Sequence, residues 1–179
     1  MAVPFGASAA SALTPQEQHV STLAKDVMAL ARSGQRGTRL HNSVARMLHK
    51  HSSISSVARF ALGPYSRKLP AARKTEYYKL VEKYVATLFS EYVGDFAGTG
   101  VEIEKSSRSG KFVIVDSRIL SANTKLRWRV YSNGNSHRIT DVNFRGIWLS
   151  IRMRDQFVNV LKNSNGDFDA LINYLRTNS

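Results

Sequence analysis

The chain has no cysteine. Disulfides, thiol catalysis and zinc–thiolate sites are therefore excluded. Acidic side chains are scarce: 13 Asp and Glu stand against 26 Lys and Arg, a formal net charge of +13. No apolar run approaches the ~20 residues that a membrane-spanning helix needs. The patterns of familiar catalysis are also missing, with no G-x-S-x-G and no H-E-x-x-H. Ser109-Gly110-Lys111 matches only the end of a phosphate-binding loop, and Phe112 stands where a hydroxyl would meet magnesium. Placing Gly166 at the sixth position of a calcium loop puts Leu161 first and Ile172 twelfth, where carboxylates are required. His49 and His51 are close in sequence, but no carboxylate or third histidine sits beside them. These gaps argue against an enzyme, a cofactor and a resident metal.

What is present suits a folded domain. An apolar fraction of 42% over 179 residues supplies a sizeable core. The excess positive charge favours anionic partners: nucleic acid, anionic lipid or an acidic protein surface. Residues 1–12 are small, apolar and uncharged, and Ala10-Ser11-Ala12 has the A-x-A form of a cleavage site. This stretch is read as a signal-peptide remnant or disordered leader, and residues 13–179 as a single domain.

Helices come first along the chain. Thr14-Pro15-Gln16-Glu17 offers an N-cap, a proline at the first position and a glutamate at the third, a capping box. Val20, Leu23 and Val27 then share a face to about Ser33. A second helix holds Leu40, Val44, Met47 and Leu48, and a short third ends at Gly63, suited to a left-handed C-terminal cap. Pro70 opens the longest helix. Its stripe of Tyr77, Leu80, Val81, Tyr84, Val85, Leu88, Phe89 and Tyr92 follows the helical period, and Gly94 stops it.

After Gly94 the period falls to two. Val101 and Ile103, then Val113, Val115 and Ile119, then Leu126, Trp128 and Val130 each mark one face of a strand. Asn133-Gly134-Asn135 is a hairpin signal, and residues 137–144 are the returning strand. Two helices close the chain, one burying Met153, Phe157, Val160 and Leu161, the other capped by Asp167. The expected fold is α+β: an antiparallel sheet of about four strands packed against N- and C-terminal helices. Between the sheet and the last helices lies an apolar burst, Ile147, Trp148, Leu149 and Ile151, beside several arginines.

Nucleic acid is one partner class for so basic a chain. Arg67, Lys68, Arg73 and Lys74 cluster, and Arg127 and Arg129 lie opposite Trp128. No RRM, KH, helix-turn-helix or zinc pattern accompanies them. A basic nucleic-acid-binding module is the alternative from another class.

Five motifs occur in an order that resembles the MlaC family. They are Phe60-Ala61-Leu62-Gly63 before a proline-started helix, the tyrosine-rich helix running to Tyr92-Val93-Gly94, and Ile139-Thr140-Asp141-Val142 leading to Gly146. Arg154-Asp155-Gln156-Phe157 and Asn165-Gly166-Asp167-Phe168-Asp169-Ala170-Leu171-Ile172 follow. The resemblance covers about residues 14–176 and extends to the hopanoid-associated HpnM proteins. It departs from the family at His137, often a Trp, at Ile147-Trp148-Leu149, more often Val-Ser-Leu, and at Ser52-Ser53, where an Asp is common.

The resemblance implies a periplasmic carrier that holds phospholipid acyl chains in an apolar cavity between sheet and helices. It also implies exchange of lipid with an inner-membrane ABC transporter complex and an outer-membrane lipoprotein complex. A hopanoid-related or other apolar ligand is the alternative within the same fold. Two sixteen-carbon chains expose about thirty methylenes, which at ~0.8 kcal/mol each cost on the order of 25 kcal/mol in water. An apolar cavity alone lowers that barrier, with no acid, base or metal. The residues expected to contact lipid are Phe60, Leu62, Tyr65, Leu88, Phe89, Tyr92, Val113, Val115, Leu126, Trp128, Val130, Val142, Phe144, Ile147, Trp148, Leu149, Phe157 and Leu161.

Overall fold

The structure, a computed structural model, describes residues 12–98 and 100–179. The leader read over residues 1–12 lies almost wholly outside the described residues. Helix α1 (Pro15–Arg32) starts as its capping residues dictate: the Glu17 amide donates to Thr14 Oγ1, and the Thr14 amide donates to Glu17 Oε2. Helices α2 (Gly37–His51) and α3 (Ile54–Ala61) follow, and Gly63 at φ +52° ends the third. A Cβ on Gly63 would sit 3.0 Å from Arg154 Nε and 3.1 Å from Val158, so both the backbone and the close approach require glycine there. The long helix α4 (Ala71–Tyr92) is continued by a 3-10 turn, Val93–Phe96.

Five antiparallel strands then run in sequence order: β1 (Val101–Ser109), β2 (Phe112–Ile119), β3 (Thr124–Asn133), β4 (Ser136–Phe144) and β5 (Ile147–Trp148). The fifth, two residues long, is the addition to the expected four. It is too short for alternation to show in the sequence. The β2–β3 pairing sets Val113 opposite Val130, Val115 opposite Trp128 and Ser117 opposite Leu126. In β4 an extra residue, Thr140, interrupts the pairing between Ile139–Val130 and Asp141–Arg129. This bulge resets the alternation. Beyond it Val142 and Phe144 pair with Trp128 and Leu126 on the inner face, while Asp141 and Asn143 turn the other way.

Helix α5 (Leu149–Asn163) leaves directly from β5, and α6 (Phe168–Thr177) follows, its first turn capped by Asp167 Oδ1 accepting from the Asp169 amide at 2.9 Å. The start of α5 is tied to the sheet by Asp141, which accepts from the Ser150 amide at 3.1 Å, the Ser150 hydroxyl, the Val142 amide and the Arg129 guanidinium. Burial pushes the Asp141 carboxyl above its ordinary range, opposed by those donors and by Arg129.

One apolar core joins helices and sheet. Helix α1 lies across β1 to β4, whereas α4 packs on α2, α3 and α6. A polar seam runs where α1, α2 and β4 meet. His19 donates from Nε2 to the His51 carbonyl at 3.1 Å, His51 Nε2 meets Asp26 Oδ2 at 2.7 Å, and the His19 ring lies 5.4 Å from that of His51 and 6.1 Å from that of His137. Among the described residues no helix is long and apolar enough to cross a membrane, and no group of three His, Cys, Asp or Glu side chains could hold a metal ion.

Candidate apolar binding site

The stripe on α4 divides in two. Tyr77, Leu80, Val81, Tyr84 and Val85 are buried against other helices, whereas Leu88, Phe89 and Tyr92 are only half-buried. The reason is a pocket of about 190 Å³ between the last turns of α4 and the inner face of the sheet. Leu88, Phe89, Tyr92 and Phe96 form one wall. Leu126 and Trp128 on β3, with Val142 and Phe144 on β4, form the other. Arg145, Ile147, Leu149 and Arg152 close the end where β4 turns into β5 and α5 begins. The walls meet at Tyr92 and Phe144, whose rings are tilted 4.9 Å apart.

Rigid elements fix the sheet wall. The Trp128 indole N–H donates to Ser117 Oγ at 2.8 Å, so the large ring has its polar edge satisfied and its apolar face free to border the pocket. The pocket holds no carboxylate, histidine or hydroxyl of Ser or Thr. Its polar side chains are Tyr92, Arg145 and Arg152, and the rest of its lining is apolar.

The expected contact residues separate by depth. Leu88, Phe89, Tyr92, Leu126, Trp128, Val142, Phe144, Ile147 and Leu149 converge on this pocket. Leu62, Val115, Val130, Phe157 and Leu161 do not line it and are almost fully buried in the core. Val130 lies beyond Trp128 along β3, opposite Val113 and Ile139, fully buried and outside the pocket lining. Val113 packs half-buried on the same core. Phe60 is exposed on α3 and borders a separate surface cleft, with the Arg154 guanidinium over its ring. Tyr65 lies near Gly166, away from the pocket. Trp148 lies under the Arg129 guanidinium, 4.3 Å from ring centroid to carbon, on the outer side of the sheet. Three lining residues were not anticipated: Phe96, Arg145 and Arg152. Phe96 follows the helix-stopping Gly94, in a turn that no periodicity marks, and the arginines read as solvated charges.

Comparison with known proteins agrees with this architecture. The family model described as MlaC protein matches residues 18–177. Among solved structures, a phospholipid-binding protein from Ralstonia solanacearum, determined in complex with a phospholipid, is similar at a TM-score of 0.80. It is 17% identical in sequence, and the match covers 91% of this chain and 96% of that one. At that identity the likeness is one of fold. No curated protein matches the chain.

Proposed function

We propose a carrier function for this chain, which belongs to the MlaC family: it binds the acyl chains of a phospholipid in the pocket beneath α4 and carries the lipid through water. The observation that supports the reading most directly is the half-buried end of the α4 stripe, three large apolar side chains facing an apolar sheet wall across open space. A helix that merely completed a core would bury them, as its first half does.

The phospholipid in the similar Ralstonia protein points to the same ligand class here. A catalytic role has no support in the pocket, whose lining contains no acid–base or nucleophilic constellation. The pocket is smaller than the ~300–1,000 Å³ usual for ligand sites. Loading two acyl chains therefore requires α4 and the adjoining turn to move away from β3 and β4. Helix α4 is anchored to α2, α3 and α6 and meets the sheet through side chains such as Tyr92 against Phe144, so parting the two walls breaks side-chain contacts and no backbone pairing.

In this reading the protein works in the periplasm. It receives lipid from, or delivers it to, an inner-membrane ABC transporter complex and an outer-membrane lipoprotein complex. The test is transfer of a fluorescent diacyl phospholipid from donor to acceptor vesicles held apart by a dialysis membrane permeable to the protein. Transfer that rises with protein concentration supports the carrier, and transfer no faster than the protein-free control rejects it.

A further inference from the structure

Two cations stand at the rim of an otherwise apolar pocket. Arg145 lies in the two-residue turn between β4 and β5, and Arg152 lies in the opening turns of α5. Neither is in an ion pair among the described residues, whereas Arg118, Arg127 and Arg129 of the sheet are each paired with a carboxylate. No Asp or Glu lines the pocket. Both guanidiniums are exposed and border the space that would hold acyl chains, and Arg145 also borders an outer cleft that Glu104 and Asp116 line.

The backbone at Arg145 adds an independent observation. Among the described residues three non-glycines have positive φ, and the other two are Asn123 and Asn165, a residue type that tolerates this conformation. Arg145 at φ +52°, followed by Gly146 at φ +88°, occupies a turn position where Asn or Gly is preferred. A long β-unbranched cation here costs conformational energy that an asparagine would avoid. The fold does not need an arginine at this point. Its guanidinium lies 5.0 Å from the centroid of Phe144, itself a pocket wall, which holds the charge at the rim.

We infer that Arg145 and Arg152 bind the phosphate of the lipid headgroup and select glycerophospholipids with a net negative headgroup. This rests on the carrier reading above. A guanidinium offers paired N–H donors that match two phosphate oxygens, and two guanidiniums satisfy a phosphodiester from two sides. A headgroup with its own ammonium brings a third cation to the same rim and is repelled. Phosphatidylglycerol, which carries only the phosphate charge, is not.

The experiment loads delipidated protein from vesicles containing equal phosphatidylglycerol and phosphatidylcholine. The bound lipid is then identified by mass spectrometry. Wild type should carry phosphatidylglycerol enriched about fivefold, the scale of one partly exposed charge pair. The double variant Arg145→Asn, Arg152→Gln should lose that enrichment. The control Arg39→Gln, Lys162→Gln removes two exposed charges that do not line the pocket and should keep it. Arg145→Asn alone should unfold at a midpoint no lower than wild type, because Asn suits the turn. Should the double variant not fold, the enrichment measured for Arg145→Asn alone decides, and it should fall.

Lipid of unselected composition on wild type overturns this inference and leaves the carrier reading standing. Retained enrichment in the rim variants, or equal loss in the control, overturns it as well, the latter by assigning selection to overall charge. A wild type that takes up neither lipid overturns the carrier reading and this inference together.

Discussion

Trp128 on β3 and Ser117 on β2 are joined by a hydrogen bond of 2.8 Å, with both side chains buried. The pair is diagonal across the strands, since Ser117 lies opposite Leu126 and Trp128 opposite Val115. The serine hydroxyl is the one group that keeps the indole N–H from being buried unsatisfied. Ser117→Ala should therefore cost ~1–3 kcal/mol, the usual penalty for stranding a buried donor. Urea unfolding of wild type and variant measures it. A loss well under that range would show that water reaches the indole edge.

Filling the pocket should separate binding from stability. Leu88 is half-buried and faces open volume, so Leu88→Trp should leave the unfolding midpoint close to wild type while sharply reducing lipid uptake from vesicles. Val130→Trp is the contrasting change. Val130 is fully buried among Val113, Ile139 and the core, so the added ring should cost ~1–3 kcal/mol or more by overpacking. Equal effects of the two changes on stability would deny the difference in depth between them.

The depth of these two residues also marks how far the sequence can be read. The α4 stripe from Tyr77 to Tyr92 is regular, and its regularity places all eight residues on one face. Periodicity says nothing about what lies opposite that face, so the buried half and the pocket half look alike in sequence. Leu126, Trp128 and Val130 likewise share a strand face by alternation, yet only the first two reach the pocket. The bulge at Thr140 shows in the sequence only as a change of parity, Ile139 on one count of two and Val142 and Phe144 on the other, with nothing to say which residue is the extra one. It puts Asp141 on the outer side, where α5 covers it. Nothing in the sequence marks Arg145 and Arg152 as pocket residues, because a charge beside a glycine, or early in a helix, is ordinarily a solvated surface group.

Asp141 gathers several donors at the start of α5, and Asp141→Ala would leave the Arg129 guanidinium and the Ser150 hydroxyl without their acceptor. Removing one partner of a buried, hydrogen-bonded ion pair typically costs ~3–5 kcal/mol. Arg129 is about a third exposed, so the lower end is expected. Asp141→Asn should cost less, because its amide oxygen still accepts and burial already disfavours the charged carboxylate. Chemical denaturation of the two variants checks the ranking, and an Asn variant as unstable as the Ala variant would contradict it.

Acid should loosen the seam between α1, α2 and β4. Burial, then the charges of His51, His137 and Arg138, hold the His19 imidazole below its ordinary 6.5, with the hydrogen bond to the His51 carbonyl opposing them. The folded state therefore takes up this proton less readily than the unfolded chain. The stability it contributes is complete above pH 6.5 and is lost as pH falls through the lowered value. Asp26, held below its ordinary 3.8 by hydrogen bonds from Lys50 and His51, acts in the same direction at lower pH. Thermal melting between about pH 7 and pH 5 should show a falling midpoint in wild type and a shallower fall in His19→Gln, whose amide can still donate to the His51 carbonyl. Identical slopes would remove His19 from the account.

Charge and apolar contact should respond differently to salt. Raising ionic strength from 0.1 M to 1 M shortens the Debye length from ~10 Å to ~3 Å and should weaken contact with anionic membranes. Acyl chains already seated beneath α4 should stay. Lipid stripped from purified protein by salt alone would show that charge, rather than the pocket, holds it.

Native mass spectrometry of the protein purified from bacteria, with extraction and identification of whatever is bound, tests the carrier most directly. A diacyl phospholipid at close to one per chain is the expected result, with the adduct absent or much reduced in Leu88→Trp. Protein that arrives empty and takes up no lipid from vesicles would contradict the account.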